Sequence, residues 1–509
     1  MISLKNVCFQ YNEKQTLLQN IHLQIEQGEF IVLTGPSGSG KTTLSRIING
    51  LIPHFYEGTL SGDVHIKGQN LKAAPIWQIS QSIGSVFQDP KTQFFTSVAQ
   101  DEMAFELENY GRDRSFIQQR LDDVCKQMNI ADIRGAFLHT LSSGQKQNVA
   151  IASATMIDPE IYVMDEPSAN LDLNATDALK DELVRLKKLG KTVVIAEHRL
   201  YYVMDLADRI IYMRNGRIEG ILNPQETALF SHEELKKRGL RSPSLTEGSL
   251  PKNEAQNLPR DAAIDIRQLY VRHKRKNPFT IKGADLSLKF GEVCALIGEN
   301  GAGKTMLART ITGLIHEHAG EIYFSGKRVK AKQRLKRAWF VMQDTVYQLF
   351  ADSVWNELFL NIEPSLENKQ QAEKLLKMLD LWLLREQHPA TLSGGQKQRL
   401  VLAVGLMQKA DIFILDEPTS GLDGSNLQRV ISVIRQLKRR NCHVLIITHD
   451  HELVAGACQQ IIKLEDGKIS QNIPTATLEY EEIIQLMRSN QTIKKEDHTC
   501  HHHRLSNAF

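Results

Sequence analysis

The pattern of apolar and polar positions predicts the same series of elements twice along the chain. Near the start of each half, ISLKNVCFQY (2–11) and AIDIRQLYV (263–271) alternate as half-buried strands do. Later segments are continuously apolar and end in acidic residues or a histidine: IYVMDEP, TVVIAEH, IFILDEP and HVLIITH. Stretches such as ATDALKDELVRLKKLG (175–190) between them have amphipathic helical spacing. This alternation predicts an α/β fold whose parallel sheets are covered on both faces.

The two halves of the chain align with a constant spacing. Ser142 and Ser393, Asp165 and Asp416, and His198 and His449 are each 251 residues apart. A repeat of this length predicts a duplicated domain rather than a solenoid.

The 509-residue chain is too long for one core. We predict a first domain over 1–235, a linker over 236–260, a second domain over 261–475 and a tail over 476–509. Prolines and few large apolar residues mark the linker. The tail contains a run rich in histidine, for which an unstructured segment is the favoured interpretation and a metal site the alternative.

Composition indicates a protein without a strong charge bias or a disulfide framework. The formal net charge is only +3, and six scattered cysteines form no C-x-x-C pair. The first residues lack the layout of a signal peptide, and no apolar run approaches the roughly 18–20 residues that span a bilayer. Any role at a membrane is therefore expected to be peripheral.

Two glycine-rich segments fit the phosphate-binding pattern G-x-x-x-x-G-K-[ST]. They are GPSGSGKTT (35–43) and GENGAGKTM (298–306), each between a predicted buried strand and a predicted helix. Their glycines would let the backbone wrap phosphates, with Lys41 and Lys304 reaching the terminal oxygens. A chance match is the alternative, which the repeated strand-and-helix context disfavours.

Acidic residues and histidines follow the later apolar strands in both halves. A carboxylate there can serve a Mg²⁺ site, its neighbour can take a proton from an attacking water, and a neutral imidazole can contact the γ-phosphate. Capping of a loop by the acids, and a structural histidine, are the alternatives. The candidates are Asp165 and Asp416 for the ion, Glu166 and Glu417 for the proton, and His198 and His449 for the phosphate.

A third repeated motif, LSSGQKQ (141–147) and LSGGQKQ (392–398), completes a set that resembles the ABC-type ATPase domain. The likeness covers nearly all of both halves and implies two tandem P-loop domains. Each would have an antiparallel β subdomain and a helical signature subdomain. It also implies head-to-tail pairing within the chain, in which residues 392–396 cap the ATP on Lys41 and residues 141–145 cap the ATP on Lys304.

The resemblance implies two composite sites for ATP and Mg²⁺. The nucleotide-binding residues of the first half, with its signature, would be Tyr11, Gly35, Ser37, Gly38, Gly40, Lys41, Thr42, Thr43, Gln88, Ser142, Gly144 and Gln145. Those of the second half would be His273, Gly298, Asn300, Gly301, Gly303, Lys304, Thr305, Gln343, Ser393, Gly394, Gly395 and Gln396. The Mg²⁺ shells would comprise Thr42, Gln88 and Asp165, and Thr305, Gln343 and Asp416.

The two sites are not expected to be equal. Four departures from the family pattern fall on the Lys304 site: Ser143, Asn148, His273 and Met306. We therefore predict faster turnover at the Lys41 site. Comparable turnover is the alternative, since Glu417 and His449 are intact.

The glutamine loops resemble those of energy-coupling-factor (ECF) importers of vitamins and metal ions. The first, VFQDPKTQFFTSVAQDEMAFELENYG (86–111), fits closely, and the second (341–360) fits more loosely. The resemblance implies a subunit at the cytoplasmic face of the membrane, partnered by a membrane scaffold chain and a substrate-binding membrane chain. Candidate contacts to the scaffold, with core packing as the alternative, are Phe94, Phe95, Leu349 and Phe350.

The sequence leaves two other functions open as alternatives to an ECF-type importer. A tandem ABC ATPase of ribosomes or nucleic acid would use basic surface such as 327–337 and 272–276. Such proteins usually have a long charged linker, whereas this one is short and rich in proline, so no nucleic-acid partner is expected. A sugar-importer ATPase is the third option, but its glutamine loops usually lack the D-P-x-x-Q-x-F run.

Overall fold

The computed structural model describes residues 1–11, 16–245, 262–274, 277–343 and 345–488, which form two similar α/β domains. The strands of the first domain are β1 (Ile2–Gln10), β2 (Thr16–Ile25), β3 (Phe30–Thr34), β4 (Thr59–Ile66), β5 (Gln69–Asn70), β6 (Ile83–Val86), β7 (Ile161–Asp165), β8 (Thr192–Ala196), β9 (Arg209–Arg214) and β10 (Arg217–Leu222). Its helices are α1 (Lys41–Ile48), α2 (Leu51–His54), α3 (Ile76–Ser80), α4 (Ala99–Asn109), α5 (Arg114–Gln127), α6 (Ser143–Thr155), α7 (Leu173–Lys188), α8 (Pro224–Ala228) and α9 (His232–Arg238).

The second domain repeats this order with small differences. Its strands are β11 (Ala262–Val271), β12 (Ile281–Lys289), β13 (Val293–Ile297), β14 (Ala319–Phe324), β15 (Lys327–Arg328), β16 (Ala338–Val341), β17 (Ile412–Asp416), β18 (His443–Ile447), β19 (Gln460–Glu465) and β20 (Lys468–Pro474). Its helices are α10 (Lys304–Thr312), α11 (Ala331–Arg334), α12 (Val354–Glu357), α13 (Leu366–Met378), α14 (Gly394–Met407), α15 (Gly424–Arg439), α16 (His451–Ala457) and α17 (Tyr480–Met487).

Each domain contains one antiparallel and one mostly parallel sheet. In the first domain the orders are β2-β1-β4-β5 and β10-β9-β3-β8-β7-β6, and only β10 is antiparallel in the larger sheet. The strand β3 is completely buried, as its continuously apolar sequence predicts. The predicted α/β fold of two tandem domains is therefore confirmed.

The helical subdomain of each domain lies between its glutamine loop and the following apolar strand. In the first domain it comprises α4, α5 and α6, which enclose a separate cluster that includes Met103, Leu121 and Val149. The signature motif at the start of α6 therefore belongs to the helical subdomain, whereas the glycine loop lies between β3 and α1. The two motifs of one domain thus occupy different subdomains.

The structure differs from the predicted boundaries at two places. Helix α9 continues to Arg238 beyond residue 235, because Ser231 and Glu234 form a capping box and Gly239 ends the helix in the left-handed region. Helix α17 lies in the predicted tail, yet Tyr480 and Ile483 are buried in the second domain's core. The rest of the predicted linker and tail, 246–260 and 489–509, lies outside the described residues.

The segment after α9 joins the two domains through a buried ion pair. Arg241 donates to Asp450 (Nη2 to Oδ1, 2.6 Å) and to Glu452 (Nε to Oε1, 2.9 Å). A Cβ on Gly424 would lie 2.1 Å from the carbonyl oxygen of Leu240, so α15 can begin here only with glycine. The carboxylates hold the pKa of Arg241 above its usual value against the effect of burial.

We predict that Arg241→Ala destabilises the association of the domains by about 3–5 kcal/mol, because it leaves the buried Asp450 and the partly buried Glu452 without their partner. Thermal unfolding followed by calorimetry should show a lower midpoint or separate transitions for the two domains. The matched control is Arg267→Ala, which removes an exposed pair with Asp265 and should leave the midpoint unchanged. Equal behaviour of the two variants would contradict a structural role for Arg241.

Candidate functional site

Each glycine loop connects a buried strand to a helix and passes close to a neighbouring strand. A Cβ on Gly35 would lie 2.0 Å from the carbonyl oxygen of Met213, and one on Gly298 would lie 2.2 Å from the equivalent atom. Only glycine permits this approach. By contrast, a Cβ on Gly38 or Gly301 would have no neighbour within 4 Å, so the loop tips are open to a ligand.

The lysines of the two loops begin α1 and α10. They follow Gly40 (φ 101°) and Gly303 (φ 104°), whose left-handed backbone turns the chain into the helix. Lys41 Nζ donates to the carbonyl oxygen of Gly35 (2.9 Å), and Lys304 is held in the same way. Burial lowers the pKa of both lysines. A buried ammonium group at a helix N-terminus favours an anion, and phosphate fits both features.

A hydroxyl and a carboxylate meet beside each lysine. Thr42 Oγ1 donates to Asp165 Oδ1 (3.2 Å), and Thr305 Oγ1 donates to Asp416 Oδ2 (3.1 Å). Burial, with the neighbouring charge of Glu166, raises the pKa of Asp165 to about 6. Burial also raises the pKa of Asp416. The protein itself compensates the negative charge of these carboxylates poorly, so a bound divalent cation would stabilise their ionised form.

The donor set agrees with Mg²⁺ that binds together with a nucleotide. Among the described residues, no group of three or more His, Cys, Asp or Glu side chains is arranged to hold a metal ion. Mg²⁺ typically takes one or two protein ligands and completes its shell with phosphates and water. The threonine–aspartate pairs suit that role, and the bound ion would neutralise charge on the phosphates.

The glutamines after β6 and β16 contact different partners. Gln88 Nε2 donates to Glu166 Oε2 (2.7 Å) within its own domain. Gln343 Nε2 instead donates to Asn170 Oδ1 of the first domain (3.1 Å). The sequence predicts equal roles for the two glutamines, whereas the structure connects the second one to the opposite domain.

The candidate bases stand at the ends of β7 and β17 in strained backbone. Glu166 (φ 44°) and Glu417 (φ 47°) both lie in the left-handed region, which non-glycine residues seldom occupy. Such strain in both copies is typical of a functional position. His198 Nε2 lies 3.2 Å from Glu166 Oε1, and His449 Nε2 lies 3.6 Å from Glu417 Oε1.

The two bases differ in how well they are held. Both oxygens of Glu166 have partners, Gln88 and His198, whereas Glu417 Oε1 is buried without a hydrogen bond from any described residue. Burial opposes ionisation of Glu166, but the charge and hydrogen bond of His198 hold its pKa below the usual value. For Glu417 burial prevails and raises the pKa to about 8. Burial also places the pKa of His449 well below its usual value.

A buried carboxylate that sequence reasoning missed supports the first histidine. Glu197 accepts hydrogen bonds from Ser168, from the hydroxyl of Tyr202 (2.7 Å) and from the backbone N–H of His198 (2.6 Å). The equivalent position of the second half is Thr448, which cannot provide this network. The sequence does contain this difference, because the residue before the histidine is glutamate in AEH (196–198) and threonine in ITH (447–449).

The signature segments begin α6 and α14 with the same capping box. Ser142 and Ser393 cap the helices, and Gln145 and Gln396 bond back to the caps. These glutamine oxygens are thus engaged locally. Arg399 turns inward and donates to the carbonyl oxygen of Leu379 (2.9 Å), and the first half has Asn148 at the equivalent position.

A cavity of about 560 Å³ between the domains collects residues of both halves. Ser37 and Gln88 of the first domain face Ser393 and Gly394 of the second across it. Ser143 of the first signature also lines this cavity, together with Gly395 and Gln343. The structure thereby brings the second signature to the space beside the first glycine loop.

Two aspartates outside the predicted site residues contact the glycine loop of the opposite domain. Asp423 Oδ2 accepts from the backbone N–H of Ser37 (2.6 Å), and Asp172 Oδ2 accepts from Asn300 Nδ2 (3.1 Å). Each glycine loop is therefore in contact with a carboxylate of the opposite domain. Both aspartates follow the DEP motifs, in SANLD and SGLD.

The aromatic residues beside the two glycine loops do not occupy equivalent positions. Tyr11 follows β1, and its hydroxyl accepts from Arg46 Nη1 (3.1 Å). His273 is at the aligned position after β11 and is exposed. A cavity of about 520 Å³ beside Asn300 is instead lined by Phe279, which precedes β12. Strand register makes Phe279 equivalent to Thr16 rather than to Tyr11, so an alignment of β1 with β11 does not indicate it. Thr43 and Met306, which follow the loop threonines, are both buried.

Comparisons with known proteins agree with this geometry. The family described as ABC transporter matches residues 18–169 and 281–420. A putative ABC transporter ATP-binding protein of Treponema denticola is 41% identical, and the match covers 92% of this chain and 96% of that protein. A protein with the same description from Methanosarcina mazei is 31% identical, over 94% of this chain and 89% of its own length.

Two solved structures match this chain to different extents. One chain of a ribosome-bound complex of archaeal Pelota and ABCE1 aligns with a TM-score of 0.67 at 20% identity, covering 95% of this chain and 80% of that chain. At this identity the likeness shows the fold. The cbiO1 structure from Clostridium perfringens, part of the ABC transporter complex cbiONQ, is 29% identical over 46% of this chain and 92% of its own, with a TM-score of 0.41.

We predict that Glu166→Gln removes most of the ATPase activity, whereas Glu417→Gln retains more than half of it. Glu166 is ionised and held by two partners, and a positioned base contributes about 10²–10⁴ in rate at its own site. Steady-state phosphate release from the two variants and the double variant provides the measurement. Equal losses in the single variants would rule out unequal sites.

Substitution of Phe279 should weaken ATP binding at the second site by about tenfold, since stacking of a base on an aromatic ring contributes about 1–3 kcal/mol. Binding is measured by fluorescence titration in a Lys41→Ala background, which silences the first site. The matched control is His273→Ala, expected to leave affinity unchanged. If His273→Ala weakened ATP binding and the Phe279 substitution did not, His273 would be the residue beside the base, as the sequence alignment predicts.

Proposed function

We infer that this chain, which belongs to the ABC transporter family of ATPases, is the energy-coupling subunit of an ECF-type importer for a vitamin or metal ion. Its two domains would sandwich ATP at two head-to-tail sites and move the coupling helices of separate membrane chains. The glutamine loops carry the resemblance, and one structural observation supports a partner there. That observation is an exposed phenylalanine beside each glutamine loop, with its backbone N–H bonded to a buried glutamate.

In the first domain this residue is Phe95. It is 78% exposed, although its ring stacks on Phe105 with centroids 5.1 Å apart. Its backbone N–H donates to Glu102 Oε2 (2.9 Å), and Thr96 donates to the same oxygen through its N–H (2.8 Å) and its hydroxyl (3.0 Å). Glu102 is itself buried at the start of α4. A buried carboxylate thus holds an apolar side chain out in solvent.

The second domain repeats the backbone part of this arrangement. Phe350 is also 78% exposed, and its N–H donates to Glu357 Oε2 (2.9 Å), which is buried in α12. The other two candidates, Phe94 and Leu349, pack against core clusters instead. Exposed aromatic residues at equivalent places, each with its backbone bonded to a buried glutamate, favour a binding surface.

A groove beside the first glutamine loop reaches the first nucleotide site. Its cavity of about 210 Å³ is lined by Tyr56 and Arg46 as well as by Thr42 and Asp165. Gln88 lies along the same cavity. A helix seated in the groove would therefore approach the residues proposed to hold Mg²⁺ and the base.

The proposed cycle assigns separate tasks to this chain's residues. The glycine loops and their lysines bind phosphate, and the opposite signature segment excludes water when the domains close. Glu166, oriented by His198 and Gln88, takes a proton from the attacking water. Loss of the γ-phosphate would then remove the anion that both domains contact, and the glutamine loops would move with the domains.

The proposed partners are a membrane scaffold chain and a substrate-binding membrane chain, and the proposed location is the cytoplasmic face of the membrane. In the part of the chain that the structure describes, no helix has the length and apolar character needed to cross a bilayer. The proposal accordingly relies on separate chains for the transport path. Substrate identity depends on those chains.

We expect the chain, extracted from its own membranes in mild detergent, to copurify with multi-span proteins. A Phe95→Ala/Phe350→Ala variant should recover at least tenfold less of them, because it removes both exposed aromatic contacts. The matched control is Phe116→Ala, an exposed phenylalanine of α5. Mass spectrometry of the purified complex provides the measurement. Recovery of ribosomes or RNA instead would favour a soluble tandem ATPase.

A further inference from the structure

Positive charge is concentrated in one subdomain of the second domain. Residues 262–342 contain 16 Lys and Arg but 6 Asp and Glu, whereas the equivalent residues 1–87 contain 6 and 5. The whole chain carries only +3. The duplicated subdomains share a fold, so this difference reflects surface chemistry rather than architecture.

Arginines and lysines of this subdomain have different surroundings. Near α11 the arginines pair internally: Arg328 with Glu321, Arg334 with Glu317, and Arg337 with Asp411. Lys327, Lys332 and Lys336 are exposed and form no ion pair with any described residue. The lysines are therefore the cations available to a partner.

Exposed aliphatic side chains lie among these lysines. Leu335 is 47% exposed after α11, and Leu314 is 54% exposed after α10. The two segments touch, since a Cβ on Gly313 would lie 2.3 Å from the carbonyl oxygen of Ala331. We call Lys327, Lys332, Lys336, Leu314 and Leu335 the lysine rim.

The first domain exposes apolar residues at the equivalent junction. Phe55 is 71% exposed after α2, and Trp77 is 60% exposed in α3. Gly50 packs against Ile79 there, as Gly313 packs against α11. Phe55 adjoins Tyr56, which lines the groove beside Gln88. The exposed apolar surface is thus continuous with the proposed docking groove.

We propose that the lysine rim, with Phe55 and Trp77 on the first domain, binds the surface of a bilayer that contains anionic phospholipid. This inference rests on the proposed function, in which the grooves face the membrane. Lysines would attract the headgroups, and the aliphatic and aromatic side chains would enter the interface. The chain would then be oriented on the membrane before its grooves meet a coupling helix.

The composition of the rim favours lipid over nucleic acid. Lysine acts as a point charge that suits a diffuse anionic surface. Recognition of nucleic acid typically uses arginine forks and stacked aromatic rings, whereas the exposed apolar residues of the rim are leucines. Tryptophan is enriched at the level of lipid headgroups, which suits Trp77.

Flotation of the purified full-length chain with liposomes tests the proposal. We expect binding to phosphatidylcholine vesicles that contain 30% phosphatidylglycerol and little binding to pure phosphatidylcholine. Lys332→Glu/Lys336→Glu should weaken binding about 25-fold or more, since each lysine near an anionic surface contributes roughly fivefold. Leu335→Ser should weaken it further. The matched control is Lys236→Glu/Lys237→Glu on α9, which should bind like the wild type.

The readouts separate this proposal from the importer function. All variants should keep the ATPase rate, because none of the substituted residues lies at the nucleotide sites. Equal flotation of the lysine-rim variant and the wild type would overturn the proposal. A second result would also overturn the proposal: no flotation of the chain, together with binding of poly(U) that depends on the same lysines. That result would assign the lysine rim to nucleic acid. Flotation without copurifying membrane chains would leave the rim intact and remove the importer function.

Discussion

The structure depends on two aspartates that each serve both domains at once. Asp423 caps α15 through Oδ1, which accepts from the N–H of Asn426 (2.7 Å), while Oδ2 accepts from Ser37 of the opposite glycine loop (2.6 Å). Asp172 divides its oxygens in the same way between α7 and Asn300. Burial opposes ionisation of Asp423, but hydrogen bonds from the two backbone N–H groups hold its pKa below the usual value. Neither glycine loop can therefore shift without disturbing a helix of the other domain.

Fusion of both copies in one chain allows the two sites to diverge. In a symmetric dimer every substitution would affect both sites, but here Glu197 and Thr448 differ, and Arg199 stands where the second copy has Asp450. Arg199 donates to the carbonyl oxygens of Ser168 and Leu171, whereas Asp450 accepts a hydrogen bond from Arg241 across the domain interface. The same pseudo-equivalent position thus stabilises a loop in one half and the domain interface in the other. Unequal surroundings of Glu166 and Glu417 follow from such changes.

The sequence predicts those parts of the site that are encoded locally. Strand, glycine loop and helix are consecutive in the chain, so Lys41 could be located from pattern alone, and Asp165 from the end of its own apolar strand. Phe279 could not, because it precedes the second strand of its sheet, whereas Tyr11 follows the first. The partner of Arg241 and the burial of α17 depend on contacts with residues distant in sequence, which periodicity does not encode. The separate contacts of Gln88 and Gln343 likewise require both domains in place.

A displacement of the two glutamine loops by a partner would reach the catalytic bases by different routes. In the first domain, Gln93 braces the glutamine loop by accepting from Phe87 N–H and donating to the carbonyl oxygen of Ser85, so the loop moves as a unit. Gln88 then connects that loop directly to Glu166. Gln348 braces the second loop in the same way, but Gln343 contacts Asn170, which also accepts from Ser420. Displacement of the second glutamine loop would therefore reach Asn170 and Ser420 at the domain interface rather than Glu417. The first glutamine loop would then act on the chemistry and the second on domain closure. A partner that engages both loops would couple hydrolysis to opening even if only one site turns over quickly.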